Sequence, residues 1–234
     1  MKNKKQIGII GGMGPEGTVD LYLKIINYYQ QNYAAKYDAD FPSIIIYSLP
    51  IPDVVESLKN ENKTKELLIQ AVKVLENSGC DFIIIACSTV QFLLNEVRQA
   101  VSIPILGIAE ICFDFIKQKK YQAIGILATQ TTIRKKIYQN KFQNSDIKLI
   151  TPSQKDQKII TKIIMKQLAG KIKSKEKNEL ETIINNFKNK GCEVVLIACT
   201  DLPPITKKIK TNIPLIDCSE IYAQEVAKIS YNTN

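Results

Sequence analysis

Two cysteines stand where thiol chemistry could be done. Cys87 lies in the stretch GCDFIIIACS (79–88), and Cys199 lies in GCEVVLIACT (191–200). In each copy a Gly-Cys-acid step enters an apolar run that closes on Ala-Cys and a hydroxyl residue. A free thiol has a pKa near 8.5, and a helix N-terminus or a polar neighbour can lower it enough for the sulfur to act as a base. A pair of thiols on opposite sides of one substrate can take a proton from one face of a carbon and return one to the other. That is racemisation or epimerisation of a carbon acid. The hydroxyls and amides of Ser88, Thr89 and Thr200, next to the sulfurs, could hold a carboxylate. The plainer reading of any single cysteine is a small buried hydrophobe, which suits Cys80, Cys112, Cys192 and Cys218. Cys87 and Cys199 differ because CSTVQ and CTDLPP put small polar residues and a turn directly after them.

Composition narrows the chemistry. The 234 residues contain no histidine, which removes Ser-His-Asp and Cys-His pairs, HExxH zinc sites and the usual neutral-pH base. No C-x-x-C is present either, so a metal site is not expected. The formal charge of +9 comes almost entirely from Lys, with Arg98 and Arg134 the only arginines. Because the lysines interleave with Asn, Gln and Glu, they read as solvated helix faces and not as a nucleic-acid surface. A basic rim of this kind can still attract anionic substrates. No apolar run approaches the roughly 18–20 residues that span a bilayer, and MKNKKQIGIIGG lacks a signal-peptide pattern. The expectation is a cytoplasmic protein without membrane contact, whose six cysteines are reduced thiols.

The elements that must position the cysteines follow from periodicity. The short unalternating runs rich in Ile and Val read as strands buried on both faces, as in a parallel sheet under helices. Strands are expected at 5–10, at 43–48, up to Cys87 and at 103–108. Helices are expected at 17–36, 63–78, 90–101 and 109–120, with Gly79 ending the second. The pattern then restarts at AIGILATQTT (123–132), which echoes IGIIGGMG. A helix carrying Tyr138, a strand at 147–152, helices at 154–168 and 175–190 and the strand to Cys199 follow. IPLIDCSEI (213–221), expected as a strand, repeats IPILGIAEI (103–111) almost residue for residue, pairing Pro214 with Pro104 and Glu220 with Glu110. Two ladders of matches in one order indicate an internal duplication. The expected fold is α/β, with two pseudo-symmetric halves that are each a mainly parallel sheet flanked by helices, and a site in the cleft between them. The halves are residues 1–107 plus 218–234, and residues 108–217. The final helix (218–230) is expected to pack on the first half and the helix at 109–118 on the second.

Gly12, Gly14 and Gly17 match G-x-G-x-x-G after a strand. A dinucleotide site also needs an acidic residue at the far end of the second strand, whereas Asp38 and Asp40 precede that strand. The better reading is a tight turn whose free amides line a cleft at a helix N-terminus and could receive a carboxylate or phosphate. No cofactor is expected.

The motifs IGIIGGMGP (7–15), IPD (51–53), GCDFIIIACST (79–89), SIPILGI (102–108), ILAT (126–129), TPSQKDQ (151–157), GCEVVLIACTDLP (191–203) and IPLID (213–217) run in order through nearly the whole chain. With them the chain resembles the aspartate/glutamate racemase family, cofactor-independent enzymes with two cysteines and duplicated α/β domains. The resemblance implies Cys87 and Cys199 as the catalytic pair. It implies Met13, Ser88, Thr89, Thr129, Thr200 and Asp201 as substrate-binding residues, and a homodimer. The chain departs from the family pattern in Ser88 for Asn, Gln91 for His and Asp201 for Glu. Val54 stands where aspartate-specific members carry a carboxylate-binding Arg. The family lysine for a second carboxylate falls near Leu168 or Ala169, with Lys166 or Lys171 as neighbours that could substitute.

The expected function is therefore a pyridoxal-independent amino-acid racemase, acting on aspartate, glutamate or a related small amino acid. Two alternatives keep the cleft and change its use. One is a two-cysteine isomerase of the hydantoin racemase or maleate isomerase type. The other is a two-lobed protein that binds small molecules without turning them over.

Overall fold

The computed structural model describes residues 4–232. In chain order it forms β1 (Ile7–Gly11), α1 (Pro15–Tyr33), β2 (Ile44–Ser48), α2 (Glu61–Asn77), β3 (Phe82–Ile85), α3 (Leu94–Arg98), β4 (Ile105–Leu106) and α4 (Ile108–Gln118). The second set is β5 (Ala123–Leu127), α5 (Gln130–Arg134), α6 (Gln139–Phe142), β6 (Lys148–Ile150), α7 (Gln154–Leu168), α8 (Ser174–Asn189), β7 (Val194–Ile197), α9 (Pro203–Thr206), β8 (Leu215–Asp217) and α10 (Cys218–Tyr231). Two four-stranded parallel sheets result, ordered β2-β1-β3-β4 and β6-β5-β7-β8. The same order in both sheets is the fold-level image of the sequence duplication.

In the central strands β1, β3, β5 and β7 the absence of alternation is explained by burial on both faces. By contrast β2, at a sheet edge, is partly exposed despite its apolar run. Ile7, Ile9, Phe82 and Ile84 of the first sheet, with Ile124, Ile126, Val194 and Leu196 of the second, point into one shared apolar layer. That layer also contains α1, α4 and α10. Ile10, Ile83 and Ile85 point the other way onto α2. Leu127, Val195 and Ile197 likewise face α7 and α8. The last helix of the chain thus packs on the first, through Tyr33 stacked on Tyr231 at 3.6 Å between ring centroids. Tyr222 of α10 receives the Ile85 N–H at 3.4 Å and donates to the Leu106 carbonyl at 2.6 Å, at the ends of the paired β3 and β4.

Both Gly-Cys-acid steps have the same structural use. Gly79 and Gly191 follow α2 and α8 with φ of +80° and +79°, a conformation open to glycine and costly for other residues. Cys80 and Cys192 are buried beneath them. The Asp81 carboxylate then accepts the Gln6 N–H at 2.5 Å, and Glu193 accepts Gln122 and Ala123 at 2.7 and 3.0 Å. Each acid therefore satisfies backbone donors at the entry of the neighbouring central strand.

Three sequence expectations change. The helix expected at 90–101 is a 3-10 segment, Thr89–Leu93, followed by the short α3. Ser88 already has helical φ and ψ, so the chain turns immediately after β3 and brings the Thr89 and Val90 amides toward Cys87. The strand expected at 213–221 is only β8, because Asp217 caps α10 by accepting the Ser219 N–H at 2.9 Å. The helix expected at 17–36 begins at Pro15 and stops at Tyr33, where Ala34 turns left-handed.

One buried charge joins the halves. Lys24 of α1 is 6% exposed and donates to Asp217 and Ser219, each at 2.6 Å, and to Asp20. Burial works to lower its pKa, but the Asp217 and Asp20 carboxylates outweigh that and raise it, so the ammonium stays charged. Removing it leaves Asp217, about a fifth exposed, without a cation, and Asp20 with only the exposed Lys207 at 3.3 Å. Lys24→Met is expected to lower the unfolding free energy by about 3 kcal/mol, the lower end for a broken buried pair. Urea denaturation measures this, and a loss below ~1 kcal/mol would place the pair among weak surface bridges.

Candidate active site

Cys87 and Cys199 each lie two residues past the end of a strand, β3 in one sheet and β7 in the other. Such carboxyl ends are where open parallel sheets form clefts. Both thiols line a single cavity of about 180 Å³. Its wall comes from the turn after β1 (Gly12–Pro15), the loop 51–55, the tips Cys87–Thr89 and Cys199–Asp201, and Leu168 at the end of α7. All six cysteines are free and buried.

The two tips are held by the opposite half. At Gly17 the first turn of α1 lies against Thr200 so closely that a Cβ would sit 2.9 Å from the Thr200 Cβ and 3.1 Å from its carbonyl oxygen. In the mirrored contact Thr89 and Thr129 hydroxyls meet at 3.1 Å. Thr129 caps α5 by accepting the Thr132 N–H at 3.1 Å. Of the residues expected to touch substrate, Met13, Ser88, Thr89, Thr200 and Asp201 line the cavity. Thr129 lies behind the wall and fixes Thr89. Ser88 turns its Oγ to the buried Tyr138 hydroxyl, 3.2 Å away.

The electrostatics of the tips are unequal. Burial pushes the Cys87 thiol up to about 11, against the Val90 and Thr89 amides and the Thr89 hydroxyl, which favour the thiolate. Burial also raises Cys199 well above the ordinary thiol value, and the Asp201 carboxylate adds to it. Cys199 Sγ donates to Asp201 Oδ2 at 3.8 Å. Asp201 is itself pushed up to about 6, chiefly by burial, while the Gly14 N–H facing it opposes the shift. The turn expected to present free amides to a ligand therefore gives one of them to a carboxylate of the other half. Gly12 donates its N–H to Thr18 Oγ1 at 2.9 Å, which removes a second.

Among the described residues, no cationic side chain lines the cavity. Val54 is 6% exposed in the apolar wall. Leu168 holds the corresponding place on α7, and Lys166 is turned away to pair with Glu176. Gln91, at the position of the family histidine, is buried with neither amide atom hydrogen-bonded by the protein.

The family profile described as Asp/Glu/Hydantoin racemase matches residues 10–226. The chain belongs to this family. The broad specificity amino-acid racemase RacX of Bacillus subtilis (strain 168) is 31% identical over 223 residues, which are 93% of this chain and 95% of that protein. The aspartate racemase of Picrophilus torridus superposes with a TM-score of 0.84 at 29% identity, covering 97% of this chain and 94% of the other. An aspartate racemase homologue from Pyrococcus horikoshii OT3 gives 0.79 at 25% identity, with 97% and 100% covered. Membership bears out the racemase class and the two-sheet α/β fold read from the sequence. No helix among the described residues is long and apolar enough to cross a membrane.

The glycine turn is legible in the sequence as part of a cleft wall, but its partners are not. Gly14 meets Asp201, Gly17 meets Thr200 and Tyr138 meets Ser88 through contacts for which local spacing carries no signal. The clash at Gly17 sets two effects against each other. Alanine gains about 1 kcal/mol of helix propensity over glycine, whereas overpacking against a backbone carbonyl costs roughly 1–3 kcal/mol. Gly17→Ala is expected to be net destabilising by about 1–2 kcal/mol. Thermal or urea unfolding decides this, and a stabilised variant would mean that α1 can withdraw freely from Thr200.

Proposed function

We propose that this protein is a cofactor-independent amino-acid racemase in which Cys87 and Cys199 exchange protons with the two faces of the substrate Cα. The observation that carries the reading is the shared cavity: two thiols, one from each sheet, on its wall. Membership of a racemase family supports it. So does the name of the Bacillus relative as a broad specificity amino-acid racemase.

In this reading the substrate carboxylate lies among the Thr89 and Thr200 hydroxyls and the backbone amides of Ser88, Thr89 and Thr200, which also receive the negative charge that grows on it as the α-proton leaves. Both thiols rest protonated, because burial disfavours the thiolate. Asp201 resolves this on one side. Ionised, it takes the Cys199 proton, and the Cys199 thiolate then removes the α-proton from the face it meets. Cys87 delivers its own proton to the other face and is left as a thiolate, supported by the Val90 and Thr89 amides. In the opposite direction Cys87 is the base and Cys199 the acid. The reading includes a cytoplasmic homodimer and the division of the chain into residues 1–107 with 218–234, and 108–217.

Cys87→Ser and Cys199→Ser are each expected to reduce racemisation by at least ~10³-fold, because a hydroxyl is far too weak an acid and base for this proton transfer. Chiral chromatography measures the loss, and α-proton exchange in D₂O from each enantiomer separately identifies the thiol that faces it. Full activity in the double variant would end the two-thiol reading. For Asp201 the direction follows from a pKa of about 6, so the carboxyl gains its proton as pH falls below that value. The kcat/KM value is expected to fall about tenfold per pH unit there, and Asp201→Asn is expected to have a low, flat profile over the same range. An acid limb unchanged in Asp201→Asn would assign it to another group.

A further inference from the structure

The cavity lining is of two chemical kinds. One is the thiols and hydroxyls of the tips, and the other is the apolar side chains of Met13, Ile51, Val54, Val55 and Leu168. The loop 51–55 straddles both sulfurs. Val54 belongs to the apolar cluster that contains Met13 and Cys87, and Val55 belongs to the cluster that contains Cys199. Leu168 closes the wall from α7 and is still 42% exposed, the remaining apolar surface at the mouth.

The two carboxylates of the lining are already engaged. Asp53 accepts the N–H groups of Val55 at 2.9 Å, Glu56 at 3.2 Å and Ser57 at 3.1 Å, which holds the loop in shape. Asp201 is occupied by Cys199 and the Gly14 amide. A substrate with a second carboxylate would bury that charge against apolar groups, beside Asp201 and without a cation, which is strongly unfavourable. An apolar side chain would instead cover Leu168 and lie along Val54 and Val55, gaining the free energy of burial. The volume of about 180 Å³ is below the roughly 300–1,000 Å³ of pockets for drug-sized ligands and suits a free amino acid.

We propose that this site takes α-amino acids with uncharged, apolar side chains of about leucine or methionine size, and discriminates against the dicarboxylic amino acids. The proposal rests on the two-thiol reading for turnover, but not for binding.

The experiment has two arms. The first follows loss of the α-proton signal in D₂O by NMR for leucine, methionine, aspartate, glutamate, lysine and arginine with the wild-type protein. Leucine and methionine are expected to exceed aspartate and glutamate in kcat/KM by at least ~100-fold, as for a buried site that leaves a charge unpaired. The second arm measures calorimetric binding of the same amino acids to the Cys87→Ser/Cys199→Ser double variant, with the same order expected. Val54→Arg supplies the missing cation and should narrow the leucine-to-aspartate ratio by about tenfold. Faster exchange or tighter binding of aspartate, glutamate, lysine or arginine overturns the proposal, as does failure of leucine and methionine both to bind and to exchange. Leucine binding without exchange in the wild-type protein overturns the two-thiol reading and leaves the side-chain preference standing. Exchange fastest with aspartate does the reverse.

Discussion

The apolar layer between the sheets is the constraint on which the cleft depends. Each sheet contributes alternate residues of its two central strands to that layer, and α1, α4 and α10 fill it. Because the layer is common property, the sheets cannot shift independently without exposing isoleucines and valines that are fully buried. Tyr222 and Lys24 add directional contacts to this non-directional one, tying α10 to β3 and β4 and α1 to the end of β8. The strand tips inherit their relative position from this packing, and the contacts of Gly17 with Thr200 and Thr89 with Thr129 refine it.

Burial at the tips acts in one direction on Cys87, Cys199 and Asp201, raising the pKa of each. The environment that excludes water from Cys87 and Cys199 also holds their protons on, so the site needs groups that favour the thiolate without admitting solvent. The 3-10 turn after Cys87 supplies amides for this, whereas the Asp201 carboxylate beside Cys199 raises that thiol further and bears on it only as a proton acceptor. The duplicated halves therefore arrive at comparable sulfur positions by different local means. The asymmetry between CST and CTD in the sequence is the trace of that difference.

Much of this was legible in the residues. Unalternating Ile and Val runs indicated parallel strands, because a strand covered on both faces has no polar side to show. The repeated Gly-Cys-acid and Ala-Cys steps located equivalent strand ends. What stayed hidden depended on contacts between segments far apart in sequence. Nothing local indicated that Asp81 and Glu193 would serve the adjacent strand, that the Gly14 amide would face Asp201, or that Thr129 would sit behind Thr89. The helix expected after Cys87 was misread because Thr89, Val90 and Gln91 are compatible with both helical geometries. The immediate turn out of β3 selects the tighter one.

The placement of α10 also bears on how the protein folds. The inner face of α1 is covered by a helix from the far end of the described residues. Without α10 both sheets' sequences are present, but Leu21, Ile25 and Tyr29 lack their lid. The packing of the first sheet thus depends on contacts of large sequence separation, the kind whose loop-closure entropy slows folding. Two similar sheets share one apolar layer, and neither covers its inner face with its own segment alone.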